Sequence, residues 1–276
     1  MKVCHKYTVA VKEEPTAVFL GMQFDYKADM PTVCVAEKTL SKVRNAGIPE
    51  SRRMTIGQVE ESLGRMFFCS NVLALDLSKY FYAIKYYRFV ERVRQLQSAT
   101  SAEYVVVWES AARQLEDLRQ EIIINKPRLC SFKGKSYGGC VYTDASDSGF
   151  GVVWIRPTGD VWVVAQSWWA RGAPQAAWWC DPAYLPPINQ REMFAIGKAE
   201  NLLKQNDVQE GTADLRIDSQ VCKHVIDKGY SASYHLNERY RDQVEAKFWR
   251  SVELVDTKRN WADFPSRMFS KDKRTT

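Results

Sequence analysis

The first half of the chain changes from a two-residue to a helical apolar period near Glu37. Alternating apolar positions predict strands within residues 6–35, and helical spacing predicts helices beyond them. The clearest helix begins at Thr55, because Gln58 follows at the spacing of a capping box. The remaining elements predicted in this half are helices at 77–96 and 107–124, with a polar linker at 97–104.

The second half follows a connector, residues 126–137, whose basic and glycine-containing composition is typical of a domain boundary. The elements predicted after it are strands at 139–144, 150–156 and 161–168, a helix at 189–204, a strand at 213–218, helices at 219–228 and about 235–249, a strand at 251–256 and a short helix at 260–269. Three antiparallel strands followed by alternating helices and strands predict an α/β domain. Its core is a five-stranded mixed sheet flanked by helices.

Composition is that of a folded protein with room for two domains. The 276 residues are 45% hydrophobic and include nine Trp. Seven Cys are widely spread without CxxC spacing, so neither a zinc site nor a disulfide framework is indicated. Reduced thiols, together with the lack of a signal-peptide pattern, predict an intracellular protein, cytoplasmic or nuclear. The most apolar window, residues 72–90, contains four charged side chains, so no membrane span is expected.

The net charge of +6 is concentrated in one helical segment. Residues 38–94 carry 11 basic and five acidic side chains. Such a segment suits contact with a phosphate backbone, but an ordinary solvated face has the same composition. Charge alone leaves the two interpretations open.

Asp144 stands at the tip of the first strand of the second half. Ser146 and Gly149 then turn the chain into the next apolar strand. A strand fixes such a carboxylate in place, and small residues beside it leave room for a nucleic-acid backbone. Asp before a tight turn is also ordinary turn chemistry, so the interpretation depends on further carboxylates.

Three more acidic residues lie at element ends. Glu192 belongs to the inward side of the helix at 189–204, and Asp218 closes the strand before the next helix. Asp263 lies one helical turn after Asn260, directly after the last strand. All four carboxylates are expected to meet at one edge of the sheet. Mg²⁺ prefers carboxylate oxygens, and two such ions promote in-line attack on a phosphodiester. Singly, Glu192 or Asp263 is also typical of a surface acid or a helix cap.

The motifs around these acids are TDASxxGxG, NxxExxAI, LxIDS and NxADxPSR. Together they resemble the ribonuclease H domains of retroelement reverse transcriptases, and the terminal NxADxxSR resembles those of retrotransposons. The resemblance implies that Asp144, Glu192, Asp218 and Asp263 are catalytic ligands of two Mg²⁺ ions, with Mn²⁺ as an alternative. It implies cleavage of the RNA strand of an RNA–DNA hybrid. The residues implied to lie beside the substrate are Asn189, Ser219, Asn260, Arg267 and Gly149.

The upstream half extends the resemblance more loosely. FLGMQFDY, within residues 1–36, is similar to the end of a polymerase palm, and residues 37–125 are similar to a thumb and connection. Residues 138–276 then form the ribonuclease H-like domain. Among retroelements the chain most resembles DIRS-like and VIPER-type tyrosine-recombinase retrotransposons. The implied partners are the hybrid and the remainder of a reverse transcriptase, since no YxDD-like polymerase dyad occurs and no polymerase activity is expected from these residues.

Other functions remain compatible with the sequence. A ribonuclease H-like module without activity would still bind nucleic acid, and a structural module would dock a partner through its many Trp. Trp168, Trp169, Trp178 and Trp179 suit either a flap beside the hybrid or an apolar insert. No His stands shortly before Asp263 to move a proton, and His224 and His235 are interpreted as structural or surface residues.

Overall fold

The chain divides into two compact units, Met1–Lys133 and Gly134–Thr276. The structure is a computed structural model, and it describes residues 16–26, 31–96, 98–129, 136–168, 185–245 and 248–270. The strand expected around residues 7–11 lies outside these ranges. Within them, no helix is both long and apolar enough to cross a membrane.

The first unit opens with an antiparallel sheet of four short strands in the order β1-β2-β3-β6. The strands are β1 (Thr16–Phe19), β2 (Met22–Asp25), β3 (Thr32–Val35) and β6 (Arg128–Leu129). Asn125 ties the sheet to the helices, since its side-chain amide both accepts from Val35 N and donates to Val35 O at 2.9 Å. Its left-handed backbone, φ 49°, ends the preceding helix.

Four helices form the rest of this unit. They are α1 (Glu37–Arg44), α2 (Ile56–Leu73), α3 (Phe81–Leu96), which follows a 3₁₀ turn at Leu77–Tyr80, and α4 (Glu109–Ile124). The predicted capping box is present: Thr55 accepts from Gln58 N, and Gln58 accepts from Thr55 N. Leu63, Tyr86 and Leu118 pack into one buried core.

The predicted linker at 97–104 is partly wrong. Tyr104–Val106 is a strand, β5, and it pairs antiparallel with β4, Arg53–Thr55. Strands of three residues are too short to show a period of two, so the pattern of apolar positions did not reveal them. The pair holds the start of α2 against the chain that leads into α4.

The second unit contains the predicted five-stranded mixed sheet. Its strands are β7 (Gly139–Ala145), β8 (Gly149–Ile155), β9 (Val161–Ser167), β10 (Ala213–Ile217) and β11 (Ser251–Leu254). Their order is β11-β10-β7-β8-β9. β7, β8 and β9 are antiparallel neighbours, whereas β10 is parallel to both β7 and β11. This confirms the predicted fold class.

Helices cover the sheet. They are α5 (Ile188–Gln205), α6 (Gln220–Lys228), α7 (Tyr234–Gln243) and the short α8 (Asp263–Arg267), which follows a 3₁₀ turn at Thr257–Arg259. The buried side of α5, including Ala195 and Leu203, shares a core with Val141, Trp154 and Leu215 of the sheet. That core fixes the end of α5 that carries Glu192 relative to β7.

Two predicted helix ends are wrong. α7 ends at Gln243, although Phe248 and Trp249 beyond it remain buried in the core. The terminal helix begins only at Asp263, because Asn260 has an extended backbone and its side chain accepts from Ala262 N at 3.1 Å. A side chain that bonds to the backbone two residues ahead competes with helix formation.

Candidate active site

Asp144 lies near the end of β7, and Asp218 directly follows the neighbouring parallel strand β10, at the same edge of the sheet. Tyr142 of β7 is the register partner of Arg216 of β10, and each aspartate follows two residues later. Side chains two residues apart on a strand share a face, so both carboxylates lie on the same side of the sheet. Asp144 is only 6% exposed.

Glu192 approaches the pair from the first turns of α5. The Ser219 hydroxyl hydrogen-bonds with it, and the Cys222 thiol lies 3.7 Å from its Oε2. Burial raises the pKa of Glu192, and the negative charges of Asp218 and Asp144 add to the rise. Glu192 is therefore held by α6 while facing the two strand-end acids.

Asp263 completes the group from the N-terminus of α8. Arg267 donates to it from Nε at 2.9 Å, and its Nη2 forms an ion pair with the same carboxylate oxygen at 2.7 Å. The next turn of the same segment supplies Ser266, whose hydroxyl donates to Asp144. α8 thus contributes a carboxylate, a cation and a hydroxyl donor to this edge of the sheet.

Asp144 and Glu192 are perturbed by the charges of neighbouring acids. The pKa of Asp144 is raised from 3.8 to about 6. Burial is the largest cause and the charges of Asp218 and Asp263 add to the rise, whereas the Ser266 hydrogen bond and Arg267 oppose it. Glu192 responds to Asp218 and Asp144 in the same direction. Asp144 thus lies near enough to Glu192, Asp218 and Asp263 for their negative charges to repel, which is an arrangement that a cation relieves.

The donor set fits a hard divalent cation, since it consists of carboxylate oxygens. The side-chain positions do not define an ion site by themselves. Within the part of the chain that the structure describes, no three His, Cys, Asp or Glu side chains are placed to hold one metal ion together. The structure therefore supports the donor chemistry and the proximity, and the ligand assignment stays a prediction.

Of the residues expected beside the substrate, Asn260 and Ser219 are buried and bond to protein groups. Asn260 is 4% exposed, and its Nδ2 donates to Thr143 O at 3.0 Å and to Asp218 Oδ1 at 3.3 Å. Ser219 caps α6 by accepting from Cys222 N at 3.3 Å, besides bonding to Glu192. Both side chains position the carboxylates.

The other three expected residues differ in exposure. Asn189 is half-buried, and its backbone carbonyl oxygen accepts a hydrogen bond from the Cys222 thiol. The Arg267 side chain is exposed apart from its pairing with Asp263. Gly149 packs against protein, since a Cβ there would lie 2.2 Å from Gln166 O of β9. Its small size meets a packing requirement of the sheet.

Arg191 is a site residue that the sequence analysis missed. It is buried and donates to Pro186 O, Ser146 O and the Asp147 carboxylate. It therefore joins the turn after Asp144 to the helix that carries Glu192. A signal was present, since an Arg four residues before Ala195 falls on the buried stripe of α5.

The remaining candidates that the structure describes contribute no carboxylate or cation to this cluster. Trp168 packs against Phe150 and Phe194 and donates to Ser146 O at 2.9 Å, which agrees with an apolar insert at this position. The other three Trp of the proposed flap lie outside the described residues. His224 and His235 are exposed on α6 and α7.

Similar solved structures include two ribonucleases H. One is RNase H1 from the halophilic archaeon Halobacterium salinarum NRC-1, with a TM-score of 0.36, 18% identity, and coverage of 49% of this chain and 98% of that one. The other is the N-terminal RNase H domain of rv2228c from Mycobacterium tuberculosis, with a TM-score of 0.32, 14% identity, and coverage of 46% and 93%.

A third similar structure is the foamy viral protease-reverse transcriptase in complex with dsDNA, with a TM-score of 0.31 and 11% identity. The match covers 88% of this chain and 45% of that one, so the chain spans under half of the viral protein's length. No protein-family model and no curated protein matches the sequence. The sheet order and its helices, described above, give the second unit a ribonuclease H-like fold.

Proposed function

We propose that this chain is a metal-dependent ribonuclease H that cuts the RNA strand of an RNA–DNA hybrid endonucleolytically. The observation that carries the proposal is the approach of four carboxylates from β7, α5, β10 and α8, with their mutual repulsion. A purely structural cluster of this kind would cost stability without return. Cleavage would leave 3′-hydroxyl and 5′-phosphate ends.

Asp144, Glu192, Asp218 and Asp263 would hold two Mg²⁺ ions, with Mn²⁺ as an alternative. When bound, such ions activate water and stabilise the leaving oxygen of a phosphodiester. Glu192, kept in place by Ser219, orients the attacking water. Asn260 keeps Asp218 beside β7, and Ser266 keeps Asp144 fixed on its strand. The protein's part is to hold these oxygens in place before the substrate arrives.

The wider proposal is that the chain is the C-terminal part of a retroelement reverse transcriptase, of the DIRS-like or VIPER type. Residues 1–36 would be the end of a palm, 37–125 a thumb and connection, 126–137 a linker and 138–276 the ribonuclease H domain. The basic segment 38–94 would contact the hybrid backbone. The support for this proposal is the resemblance of the motifs and the helical composition of the first unit.

The decisive substitution is Asp218→Asn, assayed for hybrid cleavage with Mg²⁺. We expect it to abolish cleavage while leaving the fold intact. Asp227→Asn is the matched control, because Asp227 is an exposed acid on α6 that pairs with Lys223. Equal cleavage by the Asp218→Asn variant and the wild type would show that the metal assignment is wrong.

A second candidate is a hybrid-binding module without turnover. It is favoured by the basic composition of residues 38–94, which suits contact with a phosphate backbone whether or not the carboxylates turn over substrate. The same assay separates the two, since a binding module would retain hybrid with a steep salt dependence and release no product with either Mg²⁺ or Mn²⁺.

A further inference from the structure

Trp261 is a large aromatic side chain left exposed beside the carboxylates. Its ring stacks on Tyr142, with centroids 5.6 Å apart and planes 12° from parallel. Tyr142 is 6% exposed beneath it, whereas Trp261 remains 56% exposed. One surface of the indole therefore covers Tyr142, and much of the rest faces solvent.

Three segments of the chain place the Trp261–Tyr142 stack beside the carboxylates. Tyr142 lies two residues before Asp144 on the same face of β7, and Arg216 lies two residues before Asp218 on β10. Two residues of a strand span about 6.8 Å, which is close to the length of one nucleotide step in an extended strand. Trp261 itself follows Asn260, whose amide contacts Asp218.

Arg216, which is paired with Glu253 through Nε at 3.3 Å, lies beside the stack. Its Nη1 donates to the Tyr142 hydroxyl at 2.7 Å, and its guanidinium carbon lies 5.6 Å from the Tyr142 ring centroid. Lys258 and Arg259, just before Trp261, are exposed as well. An aromatic ring set among cations is the arrangement that binds the bases and phosphates of a nucleic-acid strand.

Packing against Tyr142 does not explain why an exposed tryptophan stands at position 261. Covering Tyr142 requires an apolar side chain, but an indole that stays more than half exposed leaves apolar surface in water without a gain in stability. Phe264, three residues further along the chain, is 76% exposed as well. A planar ligand over the indole would bury this surface.

We propose that Trp261 stacks on a base of the bound nucleic acid, next to the phosphate that ions bound to the carboxylates would hold, and that Lys258 and Arg259 contact its backbone. The proposal rests on the proposed function for the identity of the ligand. Stacking on an aromatic ring is tolerant of sequence, because every base has an aromatic face. Trp261 would therefore set the position of the strand at the site rather than select a sequence.

The test measures binding of the full chain to a fluorescent RNA–DNA hybrid without divalent metal, so that the hybrid stays intact. Trp261→Leu is compared with Trp162→Leu, the matched control at another exposed Trp of this unit. We expect Trp261→Leu to weaken binding about 10-fold or more and Trp162→Leu to leave it within about twofold. Trp261→Phe, which keeps a ring over Tyr142, should lose less.

A single abasic position moved along each strand of the hybrid identifies the stacked base. We expect one position at which removal of the base weakens binding by the wild type and has a much smaller effect on Trp261→Leu, because the contact is already lost. If Trp261→Leu does not fold, the same comparison is made with Trp261→Phe, where a reduced coupling is expected. Equal effects on wild type and variant at every position would overturn the proposal.

The outcomes also separate this proposal from the ribonuclease assignment. If binding depends on Trp261 but no cleavage occurs in Mg²⁺, the proposed ribonuclease activity is wrong and the stacking proposal stands. If cleavage occurs but binding does not depend on Trp261, the ribonuclease activity stands and the stacking proposal is wrong. A wild type that binds no hybrid would overturn both.

Discussion

The hydroxyl of Ser266 donates a hydrogen bond to the carboxylate of Asp144, joining two residues 122 positions apart. The carbonyl of Ser266 accepts from the Ser146 and Ser148 hydroxyls at 2.6 and 3.1 Å. Ser266 is fully buried. One residue of α8 therefore fixes both the first carboxylate of the site and the turn that follows it.

Replacing Ser266 by Ala should raise the pKa of Asp144 further. The hydroxyl stabilises the ionised carboxylate, so its loss leaves burial and the charges of Asp218 and Asp263 less opposed. Carboxyl ¹³C NMR titration of Asp144 measures the change. Ser270→Ala, at an exposed position beyond α8, is the control. An unchanged or lowered pKa would show that the hydrogen bond does not stabilise the charge.

Asp144→Asn should stabilise the metal-free protein at pH 7. Because the folded-state pKa of Asp144 is raised from 3.8 to about 6, the folded state binds more protons than the unfolded state between these values. The contribution of Asp144 to stability therefore falls as pH rises from about 4 to about 6. The gain from Asn is on the order of 2 kcal/mol at pH 7 and should vanish below about pH 4.

Urea unfolding across this pH range measures the gain, with Asp147→Asn, an exposed acid, as the control. Adding Mg²⁺ should stabilise the wild type and have less effect on Asp144→Asn, because one ligand carboxylate is gone. A variant that is less stable than the wild type at pH 7 would contradict the raised pKa.

Sequence patterns predicted what depends on neighbours along the chain. A continuous apolar run located β8, and the capping-box spacing placed the start of α2 at Thr55. The four acids stood out because each lies at an element end. In each case the signal lies within a single strand or helix or at its end.

Contacts between distant segments were not predictable from those patterns. The Ser266–Asp144 bond and the burial of Asn260 depend on how α8 docks against the sheet, which no local spacing encodes. The three-residue β4 and β5 are defined only by their pairing. The spacing of Arg191 places it on the buried side of α5, but its hydrogen-bond partners can be identified only from the three-dimensional structure.

Arg191→Met should destabilise the second unit and slow cleavage. It leaves Pro186 O without its buried donor and frees the turn after Asp144 from α5, at a cost of about 1–3 kcal/mol. Arg191→Lys should recover only part of this, since one ammonium cannot reproduce the forked guanidinium contacts. We expect kcat to fall more than KM rises, because the carboxylates and not the substrate contacts are displaced.

Urea unfolding and single-turnover cleavage measure both effects. Asp147→Asn is again the matched control: the Asp147 side chain is 74% exposed, so losing this ion pair should cost less than about 1 kcal/mol. If Asp147→Asn impairs cleavage as strongly as Arg191→Met, the ion pair and not the two carbonyl contacts holds the turn.

Gly151→Ala should displace α8 from the sheet. Gly151 is the register partner of Asp144 on β8, and a Cβ there would lie 2.7 Å from both Ala262 O and Ser266 N. Both are backbone atoms, so α8 must shift, at a cost of about 1–3 kcal/mol. The shift should weaken the Ser266–Asp144 hydrogen bond and thereby reduce cleavage.

Gly64→Ala on α2, where a Cβ meets nothing within 4 Å, should instead stabilise the first unit by about 0.5–1 kcal/mol. Thermal unfolding of the two variants tests the pair, and a Gly151→Ala protein as stable and active as the wild type would show that α8 is not held by close backbone contact.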